Sequence, residues 1–191
     1  MRFLLTSIRC LAAALAVGAP LALSSAEPAL PEGQVKSALV LNFARYVEWP
    51  ESAFATAADP FLICLLGRDT LGGALSALEG KKIRARTVDV KSFLNADEVL
   101  GCHVVYIAET EERRLVPVLK RLSGKAILTL SDMSGFVEAG GAIGIVQGEN
   151  RLQFEVNRKT LELSKLKASS NLLKLARNLT DSTTKPSDAT R

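Results

Sequence analysis

Ser164 and Lys167 stand three residues apart in the run SKLK. On a helix this spacing would bring a serine nucleophile beside a lysine base, as in serine acyl-enzymes. The companion motifs of that chemistry are incomplete. Ser131-Asp132-Met133 and Lys159-Thr160-Leu161 each lack their last residue, and both precede the S-x-x-K instead of following it. In a lysine- and serine-rich segment such a match is expected by chance. Cys102 and His103 form a second nucleophile-and-base pair, but adjacent residues of a strand point to opposite faces. His103 is the only histidine and fits a surface or hydrogen-bonded structural role. The carboxylates Asp97, Glu98, Glu109, Glu111 and Glu112 fall in expected first helical turns, where they complement the helix dipole.

The turn GRDTLGGAL after the apolar run FLICLL has the strand, glycine turn and helix order that cradles phosphates. Gly67 and Gly72 have the spacing of the outer P-loop glycines, but Gly73 and Ala74 stand where Lys and Ser or Thr belong. The dinucleotide fingerprint is not matched either. These residues imply no catalytic apparatus and no cofactor. One stretch, SGFVEAGGAIG, keeps two readings. It is a hairpin turn with Phe136 in the core, or a partner-binding loop in which Phe136, Glu138, Gly140 and Gly141 take part.

The first 26 residues carry Arg2 and Arg9, an apolar stretch from Leu11 to Leu23 and the small residues Ser24-Ser25-Ala26. This is the layout of a secretory signal peptide cut after Ala26. The apolar run is too short for a spanning helix and is broken by Gly18 and Pro20. Removing the two arginines lowers the formal net charge from +4 to +2. The remaining charges are mixed in sign, without a nucleic-acid footprint. Cys64 and Cys102 survive cleavage, and an even pair in an oxidising compartment suggests a disulfide, with two buried free thiols as the alternative. A metal site lacks ligands at suitable spacing.

Residues 27–179 are sized for one domain, with a polar, disordered tail over 180–191. From Val35 to Glu48, Val35, Leu39, Val40, Phe43, Ala44, Tyr46 and Val47 share one helical arc, and Pro50 should end that helix at Trp49. FLICLL, CHVVYIA and AILTLSD suit strands buried on both faces. KKIRARTVDV alternates as an edge strand would. Asp69 is the expected cap of a short helix, TLGGALSALEG, and Asn95 to Leu100 a helical turn. ETEERRLVPVLKRLSG should be one helix, kinked at Pro117. IGIV and RLQFEVN form an antiparallel pair at one edge, followed by one or two terminal helices. The alternation predicts a single layered α/β domain: a largely parallel sheet flanked by helices, with an antiparallel edge hairpin.

In this order, VKSALVLNFARYVEWPE, ICLLGRDTLGGAL, GCHVVYIAETEE, AILTLSDMSGFVEAGGAIGIV and RLQFEVNRKTLELSKLKASSNLLKLARNL resemble the YfiR family of periplasmic proteins from Val35 to Leu179. The resemblance implies a non-enzymatic negative regulator that holds the periplasmic domain of an inner-membrane diguanylate cyclase inactive. Cyclic di-GMP and biofilm formation would fall as a result. An outer-membrane lipoprotein that sequesters the inhibitor is a further expected partner, and a second copy of the chain is another. Cys64 and Cys102 match the positions of a family disulfide, while the second pair of some relatives has no counterpart after Cys102. The residues expected to contact a partner are Trp49, Phe136, Glu138, Gly140, Gly141 and Arg151. The competing expectations are a small-molecule-binding module using the sheet rim near Gly67 and Arg68, or an adaptor for another envelope sensory system.

Overall fold

A computed structural model describes residues 30–149 and 151–181. The expected leader over 1–26 and nearly all of the expected tail lie outside them. Helix α1 (Glu32–Tyr46) opens the fold and buries Val40, Phe43 and Ala44. It ends before Trp49, at Tyr46. Val47 and Glu48 are drawn out as strand β1 (Val47–Glu48), antiparallel to β9 (Lys167–Ala168). That tertiary pairing ends the helix earlier than Pro50 alone requires.

The central strands are β2 (Phe61–Leu66), β4 (Arg86–Phe93), β5 (Val104–Ile107), β6 (Leu128–Ser131) and β7 (Ile143–Gln147). They run parallel, and β2 lies between β4 and β5. Strand β3 (Lys82–Ile83) folds back on β4 as an antiparallel edge hairpin. Strand β8 (Leu152–Asn157) pairs antiparallel with β7 as expected, and β10 (Asn178–Thr180) joins β8 in parallel at that edge. The strand order is β10-β8-β7-β6-β5-β2-β4-β3.

Alternation along β2 and β5 divides the core into two layers. Ile63, Leu65, Val104 and Tyr106 meet α1, whereas Cys64, Leu66, Val105 and Ile107 meet α2 (Leu115–Leu122). Burial on both faces is why these strands are apolar without interruption. Cys64 and Cys102 form a disulfide that closes 38 residues of chain across β4.

Three local expectations change. Only Ala74–Leu78 is helical after the glycine turn, and as a 3₁₀ turn. Asp69 accepts hydrogen bonds from the Leu71 and Gly73 N–H groups, so it holds the glycine turn itself. The segment after β5 is a 3₁₀ helix (Glu109–Arg114) followed by α2, with Pro117 in the first turn of α2, where its missing N–H costs nothing. Helices α3 (Arg158–Leu163) and α4 (Ser170–Leu175) complete the fold. Among the described residues no helix is long and apolar enough to cross a membrane.

Candidate functional site

The chain order places a topological switch between β2 and β5, where open α/β sheets usually hold a ligand outside the carboxyl ends of the strands. Here that crevice is filled. Gly67 has φ +99°, and a Cβ there would stand 2.6 Å from Thr110 Oγ1 and 2.9 Å from Glu111 Cγ. The Arg68 N–H donates to Thr110 Oγ1 at 3.0 Å, tying the two loops together. At the same end of the sheet Lys36 Nζ binds both Asp132 Oδ2 and Glu32 Oε1. Burial opposes the Lys36 charge, but its hydrogen bonds to Asp132 and Glu32 outweigh it and hold the ammonium above the ordinary lysine pKa. The fully buried Tyr106 hydroxyl is pushed up, by burial first and then by the Asp132 carboxylate.

Phe136 is buried, and the Gly141 backbone lies so close to its ring that any side chain at Gly141 would collide with it. Both belong to the scaffold. The loop is pinned by Asn157 Nδ2, which donates to Val137 O at 2.8 Å, and by Thr160 Oγ1, which donates to Gly140 O at 3.0 Å. Glu138 is left exposed. Gly140 lines a groove of about 430 Å³ between α2 and α3, together with Val116, Leu119, Lys120, Ala139 and Leu163. Val116 is 55% exposed and Leu163 46%. An exposed aliphatic pair flanking a groove is a surface able to seat apolar side chains of another protein. Of this set, only Gly140 is among the residues that the sequence marks for partner contact. The unpaired polar-face positions of Val116 and Leu163 on their short helices were the available signal.

Trp49 and Arg151 are not part of that groove. Arg151 is exposed beside the β7–β8 turn, where it lines an open depression with Gln147, Gln153 and Arg177. Trp49 is half-buried, with its ring edge-on to Phe61 at 4.9 Å, and its buried Nε1 has no hydrogen-bond partner.

The enzyme-like motifs come apart in space. Ser164 is buried at the end of α3, Lys165 turns the chain at φ +56°, and Lys167 is exposed on β9. They share no helical face. His103 is 6% exposed and packs against both Phe54 and Phe61. Its Nδ1 accepts from the Leu62 N–H at 2.9 Å and its Nε2 lies 3.1 Å from Ala53 O, which requires the neutral tautomer protonated on Nε2. Burial, and secondarily the Arg86 charge, lowers its pKa. Its neighbour Cys102 is committed to the disulfide. Among the described residues no cluster of three or more potential metal ligands occurs.

Two solved structures are similar to this chain. A conserved domain protein from Vibrio cholerae is 11% identical with a TM-score of 0.54, over 78% of this chain and 60% of its own. An ABC domain in complex with L-Trp from Streptococcus pneumonia is 10% identical with a TM-score of 0.49, over 77% of this chain and 60% of its own. The chain thus spans about three fifths of either structure, and the first shares its fold. A family model described as YfiR/HmsC-like matches residues 33–177, from α1 to the residue before β10. That match takes in both core layers, the disulfide and the groove at Gly140, and the chain belongs to the YfiR/HmsC-like family.

Proposed function

We propose that this chain is a periplasmic regulatory protein, exported by a leader cleaved after Ala26. It binds the periplasmic domain of an inner-membrane diguanylate cyclase and holds the enzyme inactive, so that cyclic di-GMP and biofilm formation fall. The observation that carries this reading is the family match over residues 33–177. The protein acts by stoichiometric contact and not by turnover, and an outer-membrane lipoprotein that sequesters it would relieve the inhibition. The contact surface is the groove flanked by Val116 and Leu163, with Gly140 in its wall and Glu138 on the same loop. A second copy of the chain competes for the same surface if the protein dimerises.

The test is cellular cyclic di-GMP in a strain lacking the gene, complemented with wild type or with Val116→Asp/Leu163→Asp. Deletion should raise the level and wild type should restore it. The double variant should fail to restore it while melting within a few degrees of wild type, because both side chains are exposed. An unchanged level on deletion sinks the cyclase assignment. Full complementation by the variant sinks the groove.

A further inference from the structure

A cavity of about 300 Å³ opens at the amino ends of β2 and β4, opposite to the end where this class of sheet usually binds ligands. Trp49, Phe54, Phe61 and Ile83 form its floor, and Arg84 and Arg86 stand among its walls. Its size is at the lower end of the range for small-molecule pockets, and an apolar lining with a few placed polar groups is their usual character.

Three features of its wall bear on what it could hold. Arg84 has φ +54° in the two-residue turn between Ile83 and Arg86, a conformation that favours glycine. A long cation held there at a conformational cost points to a use for its side chain. Among the described residues Glu48 is the acid paired with it, 3.5 Å away, and both side chains are largely exposed. Arg86 is held in place. Its guanidinium lies 3.7 Å from the Phe54 ring centroid, and its NH1 donates to Thr56 O and Asp59 O at 3.0 and 2.7 Å. Those bonds use one end of the guanidinium fork, and among the described residues no carboxylate lies within ion-pair distance of it, the Asp59 carboxylate acting on it only from further off. Trp49 contributes an apolar face and carries a buried indole N–H without an acceptor.

We propose that this cavity binds a small apolar carboxylate, with its hydrocarbon body against Trp49, Ile83 and the ring edges of Phe54 and Phe61 and its carboxylate held by Arg84 and Arg86. Arginine suits the role because its planar fork meets a carboxylate with two parallel hydrogen bonds and keeps its charge when partly desolvated. An aromatic floor alone would take neutral and anionic rings alike. The arginine pair makes the site select the anion. This site is separate from the groove at Gly140 and does not depend on the regulator reading.

Trp49 is the only tryptophan of the chain and lines this cavity and an adjoining depression with Lys165 and Lys167, so its fluorescence reports on both and the Arg84 variants assign the signal. The probe is phenylacetate, titrated into the purified exported chain, with the neutral phenylacetamide as control. The expected result is a saturable change in Trp49 emission, half-complete below about 1 mM. Phenylacetamide should need at least about tenfold more, the factor that a single lost charge-assisted contact gives. Arg84→Gly should weaken phenylacetate by a similar factor without lowering the melting temperature, since glycine accepts the turn conformation. Arg84→Asn, which also tolerates positive φ, should agree with it. Absence of a saturable change up to about 10 mM, an equal response to phenylacetamide, or wild-type affinity in both variants would each overturn the proposal.

Discussion

The two ends of the parallel sheet are built on opposite principles. At the carboxyl end, the switch-point crevice is packed shut by Gly67 against Thr110 and Glu111, and Lys36 pairs with Glu32 and Asp132 there. At the amino end, an aromatic cavity stays open, one arginine occupies a strained turn position and an indole N–H has no acceptor. A fold-level rule would send a search for ligands to the first end. The open cavity and the strained arginine beside it send it to the second, although Tyr106 Oη and Asp132 Oδ1 are buried without hydrogen-bond partners near the first. The difference teaches that topology marks where a site can be, whereas the side chains decide whether it is occupied by ligand or by the protein itself.

The largest expected effect falls on the amino half, which is held covalently. Replacing both cysteines, Cys64→Ser with Cys102→Ser, should lower unfolding free energy by roughly 4 kcal/mol, the chain-entropy value for a closed loop of this length. Non-reducing urea denaturation measures it. Curves that coincide with wild type would show that packing alone holds β2 to the turn before β5.

The carboxyl end is held by close packing, and Gly67→Ala tests that. At φ +99° with Thr110 Oγ1 in the way, the substitution should cost roughly 3 kcal/mol, combining backbone strain with overpacking. A loss under about 1 kcal/mol would mean the two loops can part, reopening the crevice as a candidate site.

The smallest effect distinguishes the ends by pH. His103 is held neutral in the folded state, with its pKa lowered by burial, while Arg86 adds to the shift and Asp59 opposes it. The unfolded chain therefore takes up a proton that the folded chain does not. The stability contributed above about pH 6.5 should be lost as pH falls toward the lowered folded value, by at most about 1.4 kcal/mol per pH unit. Denaturation at pH 7.5 and 5.5 should show this, and His103→Gln should remove that share of the acid sensitivity. An equal pH dependence in both proteins would mean that the imidazole is not held neutral.

Much of the architecture was legible in the chain because it rests on local pattern. The uninterrupted apolar runs at Phe61, Val104 and Leu128 required strands covered on both faces, and the parallel sheet follows from that. For His103 the sequence left a surface or a hydrogen-bonded structural role open, and the structure buries it. The exit of α1 was not legible. Pro50 marks a limit to the helix, but the actual end at Tyr46 depends on Lys167 and Ala168, more than a hundred residues away in sequence. Nor could the sequence separate Phe136, which packs inside, from Gly140, which faces a groove in the same loop.

By itself the sequence determined the α/β class, the burial of the strands at Phe61, Val104 and Leu128, and the family resemblance. Each follows from residue types and short-range spacing, whereas KKIRARTVDV, expected as one edge strand, is split into β3 and β4. Only the tertiary structure decided which surfaces are open: the crevice at Gly67 is sealed, Val116 and Leu163 meet across a groove, and Arg84 and Arg86 share a cavity with Trp49. Those neighbours lie far apart along the chain or on different elements, and no local preference encodes the space left between them. That space is set by how closely side chains pack once the sheet and its helices have come together.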